Sequence, residues 1–74
     1  MAPATATVNV PAGQTVNLRN IPVVNGSVVL SKPPSGASVT VLQTGVADQG
    51  GGTVKWTKCT WMSTTGYIQS QYLS

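Results

Sequence analysis

The chain of 74 residues has no histidine and no glutamate, and Asp48 is its only acidic residue. General acid–base catalysis normally needs a histidine or a tuned pair of carboxylates, and glycoside hydrolysis commonly needs two carboxylates. One carboxylate and one cysteine also cannot complete a calcium or zinc site. We therefore predict that the chain is not an enzyme and that it binds no metal and no cofactor.

Cysteine and long apolar runs are equally scarce. Cys59 is the only cysteine, so an internal disulfide is excluded. With no histidine to activate it, Cys59 is expected to be a small buried hydrophobic residue in a strand. The apolar runs are far shorter than the roughly 20 residues of a membrane-spanning helix. The first residues lack the features of a signal peptide, so we expect an export signal upstream in a longer parent protein, or release of the parent by lysis.

Charge is also sparse, at 7% of residues against about 25% in ordinary domains. Threonine, serine, asparagine and glutamine supply the polar surface instead. The net charge of +3 is the balance of Asp48 against four scattered cations, Arg19, Lys32, Lys55 and Lys58. Nucleic-acid binding normally needs a basic cluster, so weak attraction to an anionic wall polymer fits better. The alternative is that these charges only keep the domain soluble.

What the sequence does contain is a repeated β signal. Valine and threonine are abundant, and glycine or proline interrupts each apolar run before it reaches two helical turns. The predicted strands are 6–10, 15–19, 27–31, 38–43, 53–60 and 66–69. Such short strands at regular spacing predict a single small all-β domain, a sandwich or a barrel. A barrel is favoured because closure removes exposed strand edges.

Alternation and turn chemistry refine this prediction. Val16 and Leu18 should share one face of their strand, with Asn17 and Arg19 on the other. The segment 48–52, which contains three consecutive glycines, reads as an exposed hairpin tip. A phosphate-binding loop would need a helix and a lysine–serine pair after the glycines, and neither follows.

Several segments together resemble bacterial Src homology 3 (SH3) domains. The first group has an aliphatic-Asn-aliphatic-Arg strand, a proline loop, and a glycine before a valine-rich strand: residues 16–19 (VNLR), Pro22, Gly36 and 39–42 (VTVL). The second group is similar to the Trp-Tyr-Lys-Val strand, the Gly-Trp-Val strand and the closing Tyr-Leu of that family: residues 56–59 (WTKC), 65–68 (TGYI) and 71–74 (QYLS). Thr57, Cys59 and Tyr67 depart from the family pattern.

The resemblance implies an SH3-like barrel of five to seven short, mainly antiparallel strands over residues 14–74. Residues 1–13 would be an N-terminal arm or linker, or a first strand. Such domains accompany peptidoglycan hydrolases, including phage lysins, and tether them to the wall or shape their substrate cleft. The implied ligand is a peptidoglycan stem or cross-bridge peptide, and the implied location is extracellular or in the cell wall.

The aromatic residues are the first candidates for ligand contact. A flat ring with a polar edge stacks well on sugars or peptides and loses little entropy on binding. Trp56 and Trp61 should lie on opposite faces of one strand, with Trp61 the more exposed, and Tyr67 is expected in the core. The candidate ligand-binding residues are Trp61, Trp56, Tyr72, Asn17 and Arg19. The competing interpretation assigns the aromatic rings to core packing, and Asn17 and Arg19 to an ordinary solvated strand face.

Two functions follow as hypotheses. The first is a non-catalytic wall-binding module of a larger secreted or phage-encoded hydrolase. The second is a protein-interaction module that docks on its parent enzyme or on a partner chain. A small nucleic-acid-binding barrel is a third alternative, and it would show a steep salt dependence. We expect no nucleic-acid partner and no membrane partner.

Overall fold

The structure, a computed structural model, describes residues 4–74, and this part of the chain forms six strands and one short 3-10 helix. The strands are β1 (Ala4–Thr7), β2 (Leu18–Arg19), β3 (Val29–Ser31), β4 (Ser38–Ala47), β5 (Lys55–Trp61) and β6 (Thr64–Gln69), and the 3-10 helix is Ser70–Tyr72. The prediction of an all-β chain is confirmed. Residues 1–3, where the predicted arm begins, lie outside the described residues. No helix of residues 4–74 has the length and hydropathy to cross a bilayer.

The six strands form one sheet in the order β1-β4-β5-β6-β2-β3, and each neighbouring pair is antiparallel. The strand predicted at 38–43 continues to Ala47. Its register with β5 shifts between Val41 and Gln43 and again between Gln43 and Val46. Gly45, at φ 66°, lies in the second irregularity, and glycine adopts this conformation without steric cost. Pairing therefore resumes beyond a point where the sequence suggests a loop.

The sheet is not a closed barrel, which corrects the sequence prediction. β1 and β3 are its two edges, and they are not paired with each other. The connection between β3 and β4 is held by only two backbone hydrogen bonds on each side. They are Val16 N to Pro33 O and Ser35 N to Gln14 O on one side, and Val8 N to Ala37 O and Gly36 N to Val8 O on the other. Two consecutive prolines in this connection lack the N–H groups that a closing ladder would need. The predicted antiparallel pairing and the predicted number of strands are confirmed, but the sheet does not close into a ring.

The hydrophobic core lies on one face of this bent sheet. Its buried members are Val8, Val16, Leu18, Val39, Cys59 and Ile68. Asn17 is exposed and Arg19 half-buried, so the predicted alternation along residues 16–19 is confirmed. Cys59 is fully buried, as expected. We call the opposite side of the sheet the outer face.

Strand register fixes which side chains share the outer face. Trp56 is paired with Gln69 across β5 and β6, and Lys58 is paired with Tyr67, which in turn is paired with Arg19 of β2. Directly paired residues project to the same side of a sheet. Tyr67 therefore lies on the outer face, where it is half-buried. The prediction that it belongs to the core is wrong.

Gly66 brings β6 and β2 unusually close together. A Cβ atom at this position would lie 2.5 Å from the carbonyl oxygen of Arg19 and 3.0 Å from Cγ of Leu18. Real Cβ atoms do not approach a backbone oxygen so closely, so the site admits only glycine without movement of β2. The position of Arg19 thus depends on the absence of a side chain one residue before Tyr67.

Candidate ligand-binding pocket

A small open pocket lies on the outer face, where β2, β5 and β6 meet the 3-10 helix. Its volume is about 160 Å³, and its lining residues are Asn17, Arg19, Val24, Trp56, Gln69 and Tyr72. This volume is below the roughly 300–1,000 Å³ of pockets for drug-sized ligands. The pocket can therefore accept one side chain or the end of a peptide, but not a folded or multi-ring ligand.

Trp56 forms the floor of the pocket. Its side chain is large, yet the residue is only 1% exposed, and it belongs to the outer face instead of the core cluster. Its indole Nε1 donates a 2.9 Å hydrogen bond to Oδ1 of Asp48. Because a buried indole N–H needs an acceptor, this bond allows the ring to be covered and fixed in orientation.

Asp48 organises the glycine-rich hairpin loop between β4 and β5. Its Oδ2 accepts hydrogen bonds of 3.1 Å from the backbone N–H groups of Gly50 and Gly52. The bond from Trp56, followed by the bond from Gly52, lowers the pKa of Asp48 below its ordinary value, because these donors favour the ionised carboxylate. Gln49 N also donates to Pro22 O at 2.8 Å. The loop predicted as an exposed hairpin tip is thus held by hydrogen bonds within itself, to Trp56 and to Pro22.

Arg19 supplies the positive charge of the pocket, and the loop that precedes β3 holds its guanidinium. Nη1 donates to the hydroxyl of Ser27 at 2.9 Å and to the carbonyl of Val24 at 3.3 Å. The Ser27 hydroxyl in turn donates to Val24 O at 3.0 Å. These bonds occupy one edge of the guanidinium. Within residues 4–74, its other nitrogens donate to no protein acceptor.

The remaining polar lining comes from the end of the chain. Tyr72 in the 3-10 helix is 36% exposed, and its backbone carbonyl accepts a 2.7 Å hydrogen bond from Asn9 N, so the residue is anchored while its ring stays accessible. Gln71 Nε2 donates to Gln69 Oε1 at 3.0 Å. This bond leaves the amide N–H groups of Gln69 as donors.

The structure brings together four of the five candidate residues and separates the fifth. Asn17, Arg19, Trp56 and Tyr72 line one pocket. Trp61 lies on the other face of β5, half-buried against the hydrophobic core. It is more exposed than Trp56, as expected, but it does not line this pocket.

Two lining residues, Val24 and Gln69, were not among the sequence candidates. Gln69 could have been found, because it is polar and follows the apolar Ile68 in β6, which places it on the face away from the core. Val24 gives no such signal, since it lies in an irregular loop between β2 and β3 where no periodicity applies.

The lining groups of this pocket can make hydrogen bonds, ionic contacts and aromatic contacts. Residues 4–74 contain no cluster of three or more metal-ligating side chains. Cys59 lies in the core on the opposite face, and burial raises the pKa of its thiol to about 11, so it is protonated and inert at neutral pH. The pocket instead offers one cation, two amides, a phenol hydroxyl and an aromatic floor.

Comparison of the chain with models of protein families, with curated proteins and with solved structures finds no match. The resemblance to bacterial SH3 domains therefore stays a prediction from the sequence segments quoted above.

Proposed function

We propose that the chain is a non-catalytic cell-wall-binding module that recognises a peptidoglycan peptide in the outer-face pocket. The observation that carries the proposal is the assembly of Asn17, Arg19, Trp56 and Tyr72 around one pocket, although they come from the start of β2, from β5 and from the 3-10 helix. The accessible Tyr72 ring beside amides and a cation suits a peptide, whose backbone needs donors and acceptors and whose apolar parts need a flat contact.

The fold that goes with this function is an open variant of the SH3-like barrel. The supporting features are the six short antiparallel strands and the order of the quoted segments along residues 14–74. The module would be extracellular or in the cell wall, attached to a secreted or phage-encoded hydrolase. A pocket of about 160 Å³ gives weak binding by itself, so avidity or the attached enzyme would supply the rest.

Co-sedimentation of the purified domain with peptidoglycan sacculi tests the proposal, with sacculi prepared both with and without their attached polymers. The informative variant is Tyr72→Ala, because the Tyr72 side chain lines the pocket while only its backbone carbonyl is anchored to Asn9. We expect retention on sacculi and a loss of about tenfold or more in affinity for Tyr72→Ala, as for central aromatic contacts elsewhere.

Trp61→Leu is the matched control, because it changes an aromatic residue on the opposite face. We expect its retention to equal that of the unmodified chain once native folding is shown by dispersed amide resonances. The reverse pattern, in which Trp61→Leu abolishes retention and Tyr72→Ala does not, would move the binding site to the other face. Absence of retention on sacculi of several wall chemotypes would reject wall binding.

A specific observation supports the second candidate function, docking on a parent enzyme or partner chain. Val28, Val29 and Leu30 lie in and beside the edge strand β3, and they are 58%, 38% and 44% exposed. An edge strand with exposed apolar side chains can pair with an added strand. Hydrogen exchange on the full parent protein would show protection of β3 that wall fragments do not alter if docking is the main role.

A further inference from the structure

We propose that the outer-face pocket binds the free carboxylate at the C-terminal end of a peptide, with Arg19 as the charged anchor. This inference rests on the proposed peptide-binding function and adds which end of the peptide enters the pocket and which group is recognised there.

The polar side chains around the pocket include one guanidinium, two amides and one phenol hydroxyl, on Arg19, Asn17, Gln69 and Tyr72. All can donate hydrogen bonds, and none carries a negative charge. The one carboxylate of the chain, Asp48, is not a lining residue, and it accepts hydrogen bonds from Trp56, Gly50 and Gly52. The pocket therefore has a surplus of donors and a positive charge that no acidic side chain of residues 4–74 neutralises.

Arg19 is oriented for a planar anion. Its Nη1 is held by Ser27 and by the carbonyl of Val24, which fixes the plane of the guanidinium before any ligand arrives. The edge that makes no bond to residues 4–74 can donate two parallel hydrogen bonds to a carboxylate. Arg19 is also half-buried, so its charge is less screened than that of a fully exposed side chain.

The size and charge of the pocket favour a peptide terminus over an anionic polymer. A volume of about 160 Å³ fits one terminal residue. A polyanion would gain most of its affinity from several cations contacting successive phosphates, whereas Arg19 is the only cation among the lining residues. One planar cation surrounded by neutral donors matches one monovalent carboxylate.

The test is an amide-resonance titration of the folded chain with acetyl-D-alanyl-D-alanine, its C-terminal amide, and glycerol phosphate. We expect the free acid to shift resonances of residues 17–19 and 69–72, and the amide to bind at least about tenfold more weakly, because a charge-assisted bidentate contact is lost. Arg19→Gln should reduce free-acid binding by a similar factor. Arg19→Lys should recover part of it, since it keeps the charge but not the planar fork.

Lys32→Gln is the control for net charge, because it removes one positive charge from an exposed residue that does not line the pocket. We expect its free-acid affinity to be within about twofold of the unmodified chain at physiological salt. Retention of each Arg19 variant on sacculi is measured in parallel, so that wall binding and carboxylate recognition are scored separately.

Equal binding of the acid and the amide, or no binding of either, overturns carboxylate recognition, and continued retention on sacculi would then leave the wall-binding function standing. Tighter binding of glycerol phosphate than of the free acid also overturns it, in favour of a phosphate-containing polymer. A preference for the free acid that is lost in Arg19→Gln supports the inference even where no tested sacculus retains the domain.

Discussion

Nε1 of Trp56 lies 2.9 Å from Oδ1 of Asp48, a hydrogen bond that ties the floor of the pocket to the loop between β4 and β5. The same carboxylate binds the N–H groups of Gly50 and Gly52. The only acidic side chain of the protein thus maintains the shape of its hairpin loop and fixes the orientation of its most buried aromatic ring.

Acid should weaken the fold through Asp48. Its pKa is lowered in the folded state, so the unfolded chain binds the proton at a higher pH than the folded chain does. The stabilisation is therefore complete above the unfolded pKa of about 4 and is lost as the pH falls through the lower, folded value. Urea unfolding between about pH 6 and 2.5 should show this fall in the unmodified chain.

Asp48→Asn is the control for the acid prediction, because it removes the titrating group and leaves no other acidic side chain. The variant should be less stable at neutral pH, and the stability difference between the two proteins should shrink as the pH falls. A constant difference across this range would show that Asp48 does not act through its charge.

Gly66→Ala should destabilise the sheet and displace Arg19. The added methyl group would lie 2.5 Å from a backbone oxygen of β2, and relief of such overpacking typically costs about 1–3 kcal/mol. The expected drop in Tm is about 4–8 °C for each kcal/mol in a domain of this size. Thr65→Ala, at an exposed neighbouring position, removes the hydroxyl contact with Thr60 at 3.0 Å but overpacks nothing, so it should cost no more than about 1 kcal/mol. Similar Tm values for the two variants would refute the close approach.

The turn between β5 and β6 should be improved by substitution. Met62 and Ser63 have positive φ angles of 50° and 66° between the paired residues Trp61 and Thr64, which is the backbone of a type I′ turn. Asn-Gly is the preferred pair there, so the double variant Met62→Asn, Ser63→Gly should gain about 1 kcal/mol in urea unfolding. Ser63→Val should lose stability instead, and a gain in that variant would contradict the turn assignment.

Cys59 should resist alkylation until the protein unfolds. Its thiol is fully buried, and burial raises its pKa to about 11 from an ordinary value of 9.0. Iodoacetamide at about pH 8 should leave the native chain unmodified and label it in urea, because the thiolate is the reactive form. Rapid labelling of the native chain would show that the core opens at this strand.

The same shift in pKa predicts a loss of stability in alkali. The unfolded thiol ionises first, so the stability contributed by the neutral thiol falls as the pH rises above about 9. Cys59→Ala is the control, because it removes the thiol and leaves every other group of the chain unchanged. The stability difference between the two proteins should change with pH between about 8 and 10.5, and a constant difference would contradict the prediction.

The sequence predicts which residues of several strands lie on the outer face, because the alternation of side chains is a local property of a strand. The pattern at residues 16–19 places Asn17 and Arg19 away from the core, and the spacing of Trp56 and Trp61 puts them on opposite faces. These assignments depend only on the two-residue period, and the register of β2, β5 and β6 then brings Asn17, Arg19 and Trp56 to one pocket.

The parts that escaped prediction depend on contacts between distant segments or on irregular backbone. Nothing local indicates that the Asp48 carboxylate turns back to Trp56, or that Val24 folds over Arg19. The extension of β4 past Gly45 depends on bulges, and a positive φ at glycine is compatible with either a loop or a bulged strand. The prediction of a closed barrel was wrong for a similar reason. Whether β1 pairs with β3 depends on the path of the connection between β3 and β4, which no local pattern indicates.

Thr7 and Ser74 exchange two backbone hydrogen bonds of 2.9 Å, N–H to carbonyl in both directions, so residues 7 and 74 lie side by side. A mechanical load applied between these two residues would act on this pair first, and its two hydrogen bonds would break in succession. A load that enters at one of these residues and leaves through a ligand in the outer-face pocket would bypass the pair and be carried by the sheet. If the module tethers an enzyme to a wall, its resistance to pulling is therefore set by the sheet between the pocket and the attachment point, and not by the hydrogen bonds between Thr7 and Ser74.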